Sequence, residues 1–267
     1  MLTSCLPEPG KEDGEPQQQQ QQQLSLSFTI DRFQEDETEA EETSRTPIFR
    51  VAIADTCRRE RVDVPFIIQR CVEQVELRGI DDVGIYRVSG SSTEINTLSA
   101  VFDADSKGTQ VKDVEINTVS GLLKQYLRHL PECLFTNELY PHFIKAYYSL
   151  DMNLAINETN PDTDNLDPSI KTMLSLFSSL PTINKKVIIY LLEHLVRVGA
   201  REAVNKMTLQ NIATVFGPTL LHAEVTADAL SGAAMDMLDV VAQAGVLHFF
   251  LARVSHSLPI QLPAPAV

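Results

Sequence analysis

Gly84-Ile85-Tyr86-Arg87-Val88-Ser89-Gly90 holds one arginine in a short loop bounded by glycines, and the reading of that loop decides what the rest of the chain has to build. Glycine lets a backbone turn through regions closed to other residues and come close to another surface. Ile85, Tyr86 and Val88 can anchor the loop in a core, which leaves Arg87 as the residue that points away. A guanidinium is planar, permanently charged and carries five donors in a fork that fits phosphate oxygens. Presented rigidly, it suits phosphoryl-transfer chemistry in a neighbouring active site. Seven residues alone read more simply as a surface arginine in a tight turn, so the decision falls to their surroundings.

On the C-terminal side, Ser91 with Glu94 has the pattern of a capping box for a helix carrying Ile95, Leu98, Val101 and Phe102. The loop therefore feeds straight into a helix. On the N-terminal side, Val64, Ile67, Ile68, Cys71, Val72 and Val75 recur at helical spacing, with Pro65 at the start and Gly79 at the end. Cys71 lies on that stripe and reads as core. Before it, Ile48-Phe49-Arg50-Val51-Ala52-Ile53 fits a short strand or an extended lead-in, and no alternating strand series follows.

The next helix carries Val119, Leu122, Leu123, Tyr126, Leu127 and Leu130 on one stripe that stops at Pro131. At about 100° per residue Lys124 and Arg128 share a polar flank, roughly 120° to 160° from the stripe centre. A like-charge pair at this spacing costs a few tenths of a kcal/mol, which an anion nearby would offset, although a solvated helix face is the plainer reading of the pair alone. Further helices are expected over 138–150, 168–180 and 182–198, the last closed by Gly199, with a loop between Asp151 and Asp167. Thr208 reads as the N-cap of a helix ended by Gly217-Pro218, with Leu209, Ile212, Ala213 and Phe216 inward and Asn211 outward. Asparagine is a poor helix former, so either a partner contact or a local hydrogen bond accounts for it. Two last helical stretches, 229–242 and 245–254, complete an all-α bundle, and 259–267 is not expected to fold.

The chain has 267 residues, 43% of them hydrophobic, which is enough for one sizeable core. Cysteines 5, 57, 71 and 133 form no CxxC, and no signal-type or membrane-length apolar run occurs, so a reducing intracellular compartment is expected. The net charge of −14 argues against nucleic acid and leaves no polybasic membrane patch. Residues 1–48 hold 11 acidic and three basic groups and the run Gln17 to Gln23, a composition expected to stay disordered. The expected organisation is thus an acidic, Gln-rich tail over 1–48, a helical domain over 49–255 and a flexible Pro-rich tail over 256–267. With no Walker loop, metal spacing or Ser-His-Asp arrangement, no nucleotide, metal or cofactor of its own is expected, and His194 and His222 read as ordinary helix and loop residues.

Three motifs then stand in order: the arginine heptapeptide, Lys124-Gln125-Tyr126-Leu127-Arg128-His129-Leu130-Pro131-Glu132, and Asn205-Lys206-Met207-Thr208 running through Asn211 to Val215-Phe216-Gly217-Pro218-Thr219-Leu220. Together they resemble the Rho GTPase-activating (RhoGAP) domain over about 49–253. Arg59-Glu60-Arg61, Glu202-Ala203-Val204-Asn205-Lys206-Met207 and 211–218 are most similar to its breakpoint-cluster branch. The resemblance implies an all-helical domain that binds the switch regions of a GTP-bound Rho-family GTPase, with Rac and Cdc42 favoured. By that match Arg87 is the arginine finger, Lys124 and Arg128 the basic pair supporting the finger loop and the contact, and Asn211 the asparagine facing the switch. The chain would then be an activator with no independent active site, cytoplasmic, brought to membranes through its partner and acting on the actin cytoskeleton. The alternative is a GTPase-binding adaptor with weak catalysis, which such an arginine argues against. The chain departs from the family in having Cys133 where a proline is common and no proline within 242–246, and its end, 264–267, lacks the Ser or Thr of a common PDZ-binding tail.

Overall fold

Apolar residues spaced three and four apart become helices along nearly the whole chain, and no strand forms among the described residues, 47–222 and 233–262 of the computed structural model. In order the helices are α1 (Ile53–Glu60), α2 (Phe66–Arg78), α3 (Ser92–Ala104), α4 (Ile116–Arg128), α5 (Tyr140–Tyr148), α6 (Met152–Asn157), α7 (Pro168–Ser179), α8 (Thr182–Gly199), α9 (Glu202–Asn205), α10 (Leu209–Leu220) and α11 (Ala233–Ser255). The stretch expected to be an acidic disordered tail lies almost wholly outside the described residues, as do 229–232 of the helix expected there and the last five residues.

Helix α4 buries the stripe read from its sequence, Val119, Leu122, Leu123, Tyr126 and Leu127, against α2, α3 and α10. The α10–α11 pair is the most extensive helix contact, and α11 also packs on α5 and α8. Beside them Phe135, Phe143, Phe177 and Phe250 meet largely edge to face, Phe135 and Phe143 at 5.0 Å and 85°, the geometry that aromatic quadrupoles favour.

Several elements are decided only in the structure. The stretch from Ile48 is a lead-in and not a strand: the N–H groups of Ile48 and Phe49 both donate to Asp103 Oδ1, at 2.7 and 2.9 Å. Helix α1 then forms on only two buried apolar side chains, Ile53 and Cys57, too few to show a period. Val101 is exposed and only Ile95 and Phe102 are buried on α3. The stretch between Asp151 and Asp167, expected to be a loop, contains α6 and a 3₁₀ turn at Thr163–Asn165, since Asp151 caps α6 through the amides of Asn153 and Leu154.

Helix α10 does not stop at Gly217-Pro218 but continues through Pro218 to Leu220. A Cβ on Gly217 would lie 2.7 Å from the backbone nitrogen of Ala244, so the glycine is there for close approach of α11. Pro218 removes one intrahelical hydrogen bond, and burial of Phe216, Thr219 and Leu220 around it keeps the helix going. The two expected C-terminal stretches are one helix, α11, because Gly245 makes room for the Tyr147 ring, 2.0 Å from where a Cβ would stand. Within the stretch read as a flexible tail, Leu258 and Ile260 are buried, and the Leu262 N–H donates to Ser178 Oγ at 2.9 Å.

Candidate functional site

Arg87 is exposed, directly after Ile85 and Tyr86, which are wholly buried. The loop closes on itself: the amides of Arg87 and Val88 both donate to the Gly84 carbonyl, at 2.8 and 2.9 Å. Its two glycines do different things. Gly84 takes a left-handed turn, φ 77°, which only glycine adopts without strain. Gly90 has no such turn; a Cβ there would stand 2.4 Å from the backbone N and Cα of Thr118, so it lets the loop exit lie against the first turn of α4.

Tyr86 is also left-handed, φ 68°, a conformation that costs a non-glycine residue on the order of 1–3 kcal/mol and persists only when its surroundings fix it. Three contacts fix it here. Its carbonyl accepts from Lys124 Nζ. Its ring packs edge-on against Phe216, centroids 4.8 Å apart. Its hydroxyl lies 2.6 Å from His194 Nε2, whose Nδ1 lies 2.7 Å from Glu76 Oε1. A carboxylate can only accept, so Nδ1 carries the imidazole proton and Nε2 accepts from the Tyr86 hydroxyl. Burial lowers the proton affinity of His194, which makes its contact with Glu76 a hydrogen bond of neutral imidazole. The His194 bond, aided by Arg197, holds the Glu76 carboxyl down at about 2.

Lys124 is half-buried and not on an open flank as its spacing suggested. Burial, and after it the charge of Arg128, lower its ammonium to about 8. The two cations of α4 are therefore brought together, Lys124 turned in to the loop and Arg128 exposed. His129 is lowered by burial and then by the charges of Arg50 and Arg128, which places a third cation, Arg50, near this corner.

Asn211 sits in the first turn of α10, whose cap is the Thr208 hydroxyl accepting the Asn211 amide at 3.1 Å. Its side chain makes the local bond that was one of its two readings, donating to the Lys206 carbonyl at 3.2 Å. The Arg87 loop reaches the same segment, since the Gly84 amide donates to the Asn205 carbonyl at 2.8 Å. Asn205 is fully buried, and its amide group bonds the carbonyls of Ile80 and Val198 and the Met207 N–H. Arg201 adds a two-pronged bond to Asp81, at 2.7 and 2.9 Å. The loop is thus tied to α8, α9 and α10 on one side and to α4 on the other.

The expected capping box is half formed. Ser91 Oγ accepts from the Glu94 amide at 3.3 Å, but the Glu94 carboxylate takes the Thr118 hydroxyl at 3.0 Å. His194 and Asn205 escaped the sequence reading as supports. Both are polar residues that the fold buries, and a buried polar side chain has to find partners, but each has a partner more than 100 residues away. Val83 and Val88 of the loop remain exposed, as does Val204 on α9, next in sequence to the Asn205 whose carbonyl holds Gly84. An exposed cation on a loop braced in this way can deliver charge into a partner's site, and among the described residues no group of His, Cys, Asp or Glu could hold a metal.

A family model described as the RhoGAP domain matches residues 65–225, more than half of the chain. Human breakpoint cluster region protein is 46% identical over 182 residues, covering 67% of this chain and 13% of that protein. Active breakpoint cluster region-related protein of Xenopus tropicalis is 42% identical over 214 residues, 78% of this chain and 23% of that protein. The crystal structure of human Rho GTPase activating protein 15 superposes with a TM-score of 0.65 at 30% identity, over 79% of this chain and 92% of that one. The chain spans less than a quarter of the length of these two curated relatives.

Proposed function

This chain belongs to the RhoGAP domain family, and we propose that it accelerates GTP hydrolysis by a Rho-family GTPase through Arg87 supplied in trans. The observation that carries the reading is the exposed Arg87 guanidinium following directly on the buried Ile85 and Tyr86. In GTP hydrolysis negative charge develops on the γ-phosphate oxygens and the β–γ bridge, while the nucleotide, metal and phosphate loop belong to the GTPase. What the partner gains is a positioned cation. Lys124 holds the backbone from which Arg87 extends, and Arg128 and Asn211 face the partner's switch regions. Rac and Cdc42 are the preferred partners, as the resemblance to the breakpoint-cluster branch implies. The activator works in the cytoplasm and meets its target at membranes through the target itself; among the described residues no helix is long and apolar enough to cross a membrane.

Single-turnover GTP hydrolysis on Rac-, Cdc42- and Rho-type GTPases tests the reading. Acceleration on Rac and Cdc42 above Rho is expected. Binding without acceleration on any of them would assign the chain to adaptors.

Lys124 gives this reading a pH signature. Its ammonium is lowered from 10.5 to about 8 by burial and by Arg128, so the charge bracing the Tyr86 carbonyl is lost as pH rises through about 8. Acceleration should decline there. The stability contribution of the same group moves the other way: between about 8 and 10.5 the unfolded chain holds the proton that the folded chain has released, so this contribution rises with pH. Lys124→Ala should remove the alkaline decline, lower the rate at neutral pH about 10- to 100-fold, the scale of a charged hydrogen bond of about 1.5–3 kcal/mol, and leave the thermal midpoint unchanged or raised. A midpoint several degrees lower would make Lys124 a structural residue.

A further inference from the structure

The chain Glu76–His194–Tyr86 is not used by the mechanism above, yet it ends on the residue that precedes Arg87. His194 and Tyr86 are wholly buried. Tyr86 takes a left-handed backbone with its hydroxyl on His194 Nε2, at 2.6 Å. His194 is in turn fixed by Glu76 at 2.7 Å, and Arg197 grips the same carboxylate oxygen from the surface at 2.7 Å. The groups facing this chain are Cys71 and Glu76 of α2, Tyr190 and Arg197 of α8, and Lys124 of α4, which holds the other end of the Tyr86 residue by its carbonyl.

We propose that His194, oriented by Glu76, is a positioning residue for the finger: through the Tyr86 hydroxyl it locks the left-handed turn that aims Arg87. The inference rests on the activating role proposed for Arg87. Each link leaves one rotational choice to the next. The carboxylate selects the Nδ1–H tautomer, the tautomer makes Nε2 an acceptor, and the acceptor fixes the phenol and with it the peptide it hangs from. Burial raises the Tyr86 phenol well above its ordinary value, so the hydroxyl remains a donor throughout the working pH range. A loop held only by its ring would keep its place in the core but not the direction of the next side chain.

Tyr86→Phe keeps the ring and removes the hydroxyl alone. Three measurements on the whole chain decide the matter: the hydrolysis rate at saturating activator, the activator concentration for half-saturation, and hydrogen exchange at the Arg87 and Val88 amides that close the loop on Gly84. The saturating rate should fall about tenfold, the rate equivalent of one lost neutral hydrogen bond, with half-saturation unchanged within about twofold and exchange at the two amides faster. Amides of α7 serve as the reference for global unfolding. The double variant Tyr86→Phe/His194→Leu should give the same saturating rate as Tyr86→Phe alone, since the positioning bond is already gone, although loss of the His194–Glu76 bond lowers its melting temperature. A Tyr86→Phe variant with the saturating rate of the wild type, or with exchange at Arg87 and Val88 no faster than the α7 reference implies, would overturn the proposal. No acceleration by the wild type at all would instead sink the activator reading, and the exchange measurement, which needs no GTPase, would still decide whether the chain of bonds holds the turn.

Discussion

Arg87→Ala will remove most of the acceleration of GTP hydrolysis while leaving association with the GTP-bound partner nearly intact. Arg87 is exposed, and the loop's bonds among the described residues run through backbone atoms and through Ile85 and Tyr86 beneath it. The variant should therefore melt with the wild type. An arginine that touches only the developing charge contributes to the transition state and not to the ground-state complex. The loss then appears in the rate at saturating activator and leaves half-saturation unchanged. For arginines supplied in trans in the Ras system the effect is about 10³–10⁵ in rate, a general range for this chemistry. Single-turnover hydrolysis at saturating activator measures it directly. An alanine variant that still accelerates hydrolysis near the wild-type level would place the cation elsewhere on this surface, with Arg128 first in line.

The helices that could be read from the chain are those whose reason lies in one dimension. Helices α2, α4 and α8 carry long apolar stripes with a proline or glycine at an end, and burial follows the stripe residue by residue. Helices α1 and α6 are short: α1 packs on α8, and α6, capped locally by Asp151, packs on α11. Gly217-Pro218 and Gly245 looked like breaks, yet both glycines sit inside helices because a neighbouring element comes too close for a Cβ. Read singly, such a residue has two meanings, and only packing chooses between them. The same holds at the site. Arg87 could be picked out because the glycines bracket it and the apolar residues beside it have to go inward. The support could not: Tyr86 meets His194 across 108 residues and His194 meets Glu76 across 118. The period puts Lys124 on the right helix but on too open a face, since period alone does not tell that the Arg87 loop covers it.

Gly90→Ala carries the second large effect, and it separates the two glycines that frame the loop. A Cβ at position 90 would lie 2.4 Å from the N and Cα of Thr118 and 2.5 Å from the carbonyl carbon of Asn117, all backbone atoms that cannot rotate aside. Either the loop exit or the first turn of α4 has to move. Helix α4 is held by nine buried residues along its length, so the loop yields. It takes with it the Ser91 amide, which donates to Thr118 Oγ1 at 3.3 Å. Overpacking of this kind costs about 1–3 kcal/mol, or roughly 2–12 °C in the melting midpoint at about 2–4 °C per kcal/mol for a domain of this size. Displacing the base of the finger by about 1 Å costs about 100-fold in rate. Gly84→Ala is the contrasting variant. Its Cβ meets only Val88 Cγ2 at 3.1 Å and Arg87 Nε at 4.0 Å, side-chain atoms that can shift, and its penalty is the left-handed backbone, φ 77°. That strain is on the order of 1–2 kcal/mol, with no wall of backbone behind it. The expected order is therefore a rate loss in Gly90→Ala well beyond its loss of stability, and in Gly84→Ala a modest loss of both. Equal rates for Gly90→Ala and the wild type, measured below both melting transitions, would mean that the loop exit does not set the aim of Arg87.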